Sequence, residues 1–108
     1  MKIVTINEGD FSILQVDGDI DCYTVPQLRE SIRQQLENKP GNMIVDLADV
    51  TYLDSSAISC LVNAHKDMVK IGYRLGLVNV NRETRQILKL TYVDQIMEIY
   101  NSYSDFKV

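Results

Sequence analysis

The chain has 108 residues, enough for one domain and too few for two. With 45% hydrophobic and 24% charged residues it has the make-up of a globular chain, and Lys, Asp or Asn interrupts every apolar run before it could span a membrane, so the expected setting is cytoplasmic. The formal net charge is −4 and no stretch clusters Lys and Arg, which argues against a nucleic-acid binder because an acidic surface repels phosphate backbones.

The N-terminus is too short and too polar for a signal peptide and reads as a strand over 2–7. A second strand is expected over 11–18, joined by the polar Glu8-Gly9-Asp10 link as a hairpin. Gly18-Asp19-Ile20-Asp21 is a turn in which Ile20 can tuck inward. A helix then opens with Thr24 as N-cap, Pro26 in the first turn and Gln27 placed for a capping box. Val25, Leu28, Ile32 and Leu36 form its apolar stripe, Arg33 and Glu37 can pair outside, and Pro40-Gly41 stops it.

Residues 43–47 are almost continuously apolar, the pattern of a strand buried on both faces. Asp54-Ser55-Ser56 follows, and then a helical pattern of Ile58, Leu61, Val62, His65, Met68 and Val69, ended by Gly72. A strand over 74–80 and a helix capped by Asn81 and carrying Ile87, Leu88 and Leu90 come next. A short strand over 96–100 precedes residues 101–108, which form one more helical turn or fray. Strands alternating with helices after a hairpin give an α/β fold, a mixed four- to five-stranded sheet covered by helices mainly on one face.

Several chemistries are unsupported. There is no Gly-rich phosphate loop and no G-x-S-x-G around Ser55. His65 lies ten residues beyond Ser55, about 15 Å along a helix at 1.5 Å per residue, so it cannot serve as base for that hydroxyl. A receiver-type phosphoaspartate site would need an acidic pair after the first strand, where Asn7-Glu8 runs into the hairpin instead. Cys22 and Cys60 lack metal-ligand spacing and read as free thiols. No metal or cofactor is expected, and the chain is read as a non-enzyme. What remains is a hydroxyl at a strand-to-helix junction, where unpaired N–H groups and the helix dipole favour an anion, including a phosphate on serine itself. The plain alternatives are that Ser55 only caps the helix, that Asp54 caps it, and that Asp19 and Asp21 serve the turn and solubility.

Gly18-Asp19-Ile20-Asp21, the strand Ile44-Val45-Asp46-Leu47 and above all Tyr52-Leu53-Asp54-Ser55-Ser56-Ala57 resemble the bacterial anti-sigma factor antagonists, which are single STAS domains. The resemblance covers nearly the whole chain and implies one STAS domain over 1–108. It implies a protein-binding module whose phosphoacceptor is the serine directly after the Asp of the motif, here Ser55. The unphosphorylated form would bind an anti-sigma factor that is also a serine kinase of the ATPase type, freeing a sigma factor. A metal-dependent serine phosphatase would restore it. Asp19, Asp21, Asp54, Ser55, Ser56 and Ser59 are the candidate partner-binding residues, in a chain expected to be monomeric. Two positions depart from the family pattern: Ala57 replaces a customary Gly, and Tyr92 stands where a Gly often follows the penultimate helix. The runner-up is a STAS scaffold or accessory subunit of a signalling or transport complex, without a switch.

Overall fold

A computed structural model describes residues 1–107. The elements follow in the order β1 (Lys2–Glu8), β2 (Phe11–Asp17), α1 (Val25–Asn38), β3 (Asn42–Asp49), α2 (Ser55–Lys70), β4 (Leu75–Val78), α3 (Arg82–Leu90), a 3-10 turn (Val93–Gln95), β5 (Glu98–Tyr100) and α4 (Tyr103–Lys107). The strands form one five-stranded sheet in the order β1-β2-β3-β4-β5. β1 pairs antiparallel with β2, and every later pair is parallel. The sheet is therefore mixed and five-stranded, as expected.

Alternation along the central strands sorts the core into two layers. Leu14 and Val16, Met43, Val45 and Leu47, and Leu75 and Leu77 face Val25, Leu28, Ile32, Ala57, Leu61, Met68 and Leu88 from α1, α2 and α3. Residues of the opposite parity, Phe11, Ile13, Ile44 and Val78, face Phe106 of α4. Three helices thus cover one face and a single short helix covers part of the other. β3 is buried on both faces over Met43–Leu47 because it lies mid-sheet between these layers.

Expected residues 101–108 resolve into α4, with residue 108 outside the described residues. α4 has five residues, too few to stand without tertiary contacts. Phe106 is held against Gly76, where an added Cβ would come within 2.6 Å of the ring. The Arg74 guanidinium sits 4.2 Å from the centre of the Phe106 ring and donates to the Phe106 carbonyl. Arg74 also pairs with Glu98, and Tyr103 donates to the Asp46 carboxylate.

Some local expectations are corrected. The strand expected over 74–80 ends at Val78, since Asn79 turns into the left-handed region at φ 58°. The last strand begins at Glu98, because Ile96 and Met97 complete the turn after the 3-10 segment. Thr24 makes no side-chain cap; its hydroxyl donates to the Asp19 carbonyl, and Gln27 reaches the Met1 carbonyl instead of closing a capping box. Val69, Ile87 and Leu90 are exposed, so the buried stripes run through Ala57, Cys60, Leu61 and Met68 in α2 and Thr84 and Leu88 in α3. Arg33 pairs with Glu37 as expected, and with Glu30 as well. Both cysteines are free thiols. Among the described residues no helix is long and apolar enough to cross a membrane, and no group of His, Cys, Asp or Glu is placed to hold a metal ion.

Candidate functional site

The Gly18–Asp21 turn and the segment leading into α2 are far apart in sequence and laced together in space. The Gly18 N–H donates to the Asp49 carbonyl at 3.1 Å, the Ile20 N–H to Tyr52 at 3.0 Å, and the Asp54 N–H back to Ile20 at 3.1 Å. Ile20 and Leu53 thus form an isolated parallel bridge beyond the ends of β2 and β3. Ile20 is fully buried and is the apolar pin of this clasp. Gly18, at φ 110°, supplies a turn that an L side chain rarely adopts.

The clasp carries polar side chains on its outside. Asp19 accepts from the Thr51 hydroxyl at 2.8 Å, tying the two segments again. Asp21 folds its carboxylate onto the backbone N–H groups of Tyr23 and Thr24 at 2.9 and 3.1 Å, so Asp21, not Thr24, organises the entry to α1. The Ile20–Leu53 bridge brings this turn alongside the segment that leads into α2, where Asp54 is the cap and Ser55 and Ser56 open the helix. Ser59 lies one turn further on, on the face shared with Ser55.

The cap of α2 is Asp54. Its backbone is extended, at φ −103° and ψ −174°, and its side chain accepts from the Ala57 N–H at 3.1 Å. The Ser56 hydroxyl donates to the same carboxylate at 2.5 Å. That hydrogen bond is the main cause holding the Asp54 carboxyl below the ordinary carboxylate range; partial burial works against it, and the backbone N–H groups of Ala57, Ser56 and Cys22 add to it. Ser55 is the first residue of the helix, is exposed, and its hydroxyl makes no hydrogen bond among the described residues. Of the two capping readings, that of Asp54 holds and that of Ser55 is corrected: Asp54 caps, and the Ser55 hydroxyl is left to solvent.

Ala57 is fully buried beneath this turn, so its methyl group packs in the helix-side core. Two exposed aromatic residues outside the candidate binding set lie in the two segments of the clasp. Tyr23 and Tyr52 are both exposed, one in each of the two segments that the Ile20–Leu53 bridge joins. Large aromatic rings in polar turns were the available signal, since tyrosine is enriched where protein surfaces bind. His65 is half-buried on α2 and takes no part in this site.

Comparison with known proteins places this arrangement. The family model of the STAS domain matches residues 2–106. An anti-sigma-B factor antagonist of Staphylococcus epidermidis is 27% identical over 99 residues, covering 92% of each chain. A Thermotoga maritima crystal structure superimposes with a TM-score of 0.91 at 23% identity, over 97% of this chain and 91% of that one. SpoIIAA, an anti-sigma factor antagonist of Bacillus, shares the fold in both its unphosphorylated and phosphorylated forms, with TM-scores of 0.74 and 0.73 at 13% and 14% identity. These matches cover 98% of this chain, and 94% and 97% of the respective SpoIIAA chains. The chain belongs to the STAS domain family.

Proposed function

We propose that this chain is an anti-sigma factor antagonist whose partner binding is switched by phosphorylation of Ser55. In its unphosphorylated form it binds an anti-sigma factor that is also a serine kinase, and so frees a sigma factor. A metal-dependent serine phosphatase reverses the modification. The contact patch is Asp19, Asp21, Asp54, Ser55, Ser56 and Ser59. The name carried by the staphylococcal relative supports the antagonist role. The single observation that carries the switch is the exposed, unbonded Ser55 hydroxyl at the head of a 16-residue helix whose capping is done by its neighbour.

The physical consequences of a phosphate there differ for the fold and for the interface. Phosphate brings a charge of about −1.5 to −2 at pH 7. The α2 dipole favours it by about 0.3–1 kcal/mol. Asp54 opposes it, since that carboxylate already occupies the Ala57 N–H and adds a like charge beside the phosphate. These two effects are small and opposed, and the added group projects into solvent, so the domain keeps its structure. A partner covering Ser55 would have to desolvate the phosphate among carboxylates, at an effective cost of several kcal/mol. Blockade at the contact surface therefore explains the switch without an internal rearrangement.

Incubation with an anti-sigma factor kinase and ATP tests the assignment. Phosphate is expected on Ser55 in the wild type and absent from Ser55→Ala, with circular dichroism confirming that the variant is folded. A folded wild-type chain that takes up no phosphate from any kinase with which it forms a complex would favour the scaffold role. Phosphate mapped to Ser56 or Ser59 would move the switch to that residue.

A further inference from the structure

The sheet has two edges of different kinds. β5 has three residues, all half-buried. β1 has seven, six of them exposed, and it pairs with β2 in unbroken register from Lys2 to Glu8. Its outer side offers a row of backbone donors and acceptors with no proline and no bulge, features that otherwise blunt a free edge. The strand's two faces are distinct. Ile3 packs on the helix-side core and Asn7 accepts from Gln35 of α1, which puts Ile3, Thr5 and Asn7 on that face. Lys2, Val4, Ile6 and Glu8 stand on the α4 face, where Val4 is 42% exposed and Ile6 37%.

We propose that β1 is a self-pairing edge, and that two copies of this chain join through it into a continuous ten-stranded sheet. The sequence of the strand is complementary to its own reverse. Laid antiparallel about Thr5, Lys2 falls opposite Glu8 of the second copy, Ile3 opposite Asn7, Val4 opposite Ile6 and Thr5 opposite Thr5. All seven residues are then used, both end pairs join opposite charges, and the exposed Val4 and Ile6 cover each other on one face. The pairing is isologous, so each contact occurs twice except that of Thr5 with Thr5 on the axis. Two copies joined antiparallel through the same edge keep their helix layers on one face, so only slips by an even number of residues compete with this register. A slip of two would lose both ion pairs. The charge pattern thus selects one register and one occupant, replacing the expected monomer with a weak, concentration-dependent dimer.

The dimer leaves the Ser55 surface open. Lys2 faces Asp17 across the ladder, so the start of β1 lies at the same end of the sheet as the clasp. Across the two-fold axis the strands reverse, which sends the two Ser55 patches to opposite ends of the joined sheet.

Sedimentation equilibrium of the full chain tests this. The wild-type weight-average mass is expected to rise from 12.3 kDa toward twice that value. The rise should fall between about 10 µM and 1 mM, the range of a small interface. Lys2→Glu and Glu8→Lys should each weaken the dimer by about tenfold, because each reversal acts at both symmetric ends. The double reversal should restore wild-type association to within about twofold. Both positions are exposed, and circular dichroism verifies folding of each variant. A mass fixed at 12.3 kDa throughout would overturn the proposal. So would a dimer indifferent to the single reversals, or a double reversal as weak as its parents.

Discussion

Asp54-Ser55-Ser56 places three hydroxyl or carboxyl side chains in a row, each able to cap a helix. Which of them caps depends on which residue has extended backbone just before the helical residues begin. In this chain the Ile20–Leu53 bridge holds the approach extended through Asp54, so the carboxylate caps and the serine after it becomes the first helical residue. That pairing lies across more than thirty residues of sequence, which is why a local reading leaves the cap open between Asp54 and Ser55. The consequence is separable by mutation. Asp54→Ala should lower Tm by about 5 °C, the usual effect of losing an N-cap in a domain of this size. Ser55→Ala should change stability by less than about 0.5 kcal/mol, as expected of an exposed side chain without partners. A thermal melt in which Ser55→Ala is the more damaging of the two would reverse the assignment of cap and free hydroxyl.

The elements themselves were largely legible. Periodicity, Pro and Gly located the five strands and the three long helices in order, because each has a buried face that its pattern must match. Ile20 was readable as an inward residue since it is the one apolar side chain in a polar turn. The misread apolar positions share a cause: an apolar residue in the last turn of a helix, such as Val69 or Leu90, is buried only where another element happens to cover it, and here none does. α4 was the least legible element. Five residues have little helical preference of their own, and the helix exists because Phe106, Arg74 and Glu98 hold it to the sheet. The Arg74 guanidinium is the main cause holding the Glu98 carboxyl below its ordinary range; partial burial opposes it, and the Tyr100 hydroxyl assists. A carboxyl lowered in the folded state contributes stability above its unfolded pKa of about 4.3 and loses it as the pH falls through the lower folded value. The Tm advantage of wild type over Glu98→Gln should therefore be full at pH 7 and shrink as the pH falls below about 4. A gap that stays constant from pH 7 to pH 3 would show that this ion pair does not anchor α4.

At the scale of the molecule, the sheet order brings the Gly18–Asp21 turn alongside the segment that leads into α2, and this long-range lacing is what supports the proposed contact surface. Residue types and order suggested that surface; the hydrogen bonds across it could not be derived from spacing, because they depend on where two parallel strands end relative to each other. Its hydrogen bonding bears on the proposed switch. Under the proposed switch, a phosphate on Ser55 would meet a clasp already closed by backbone hydrogen bonds, so the added charge would act outward on a partner, with little effect on the domain's interior. The most direct measurement is the affinity of the phosphorylated and unphosphorylated chains for the same anti-sigma factor, by titration calorimetry. A desolvation cost of about 3–4 kcal/mol corresponds to a few hundredfold, so phosphorylation of Ser55 should weaken binding by at least about a hundredfold. Equal affinities for the two forms would contradict the assignment of Ser55 as the switch at the binding surface.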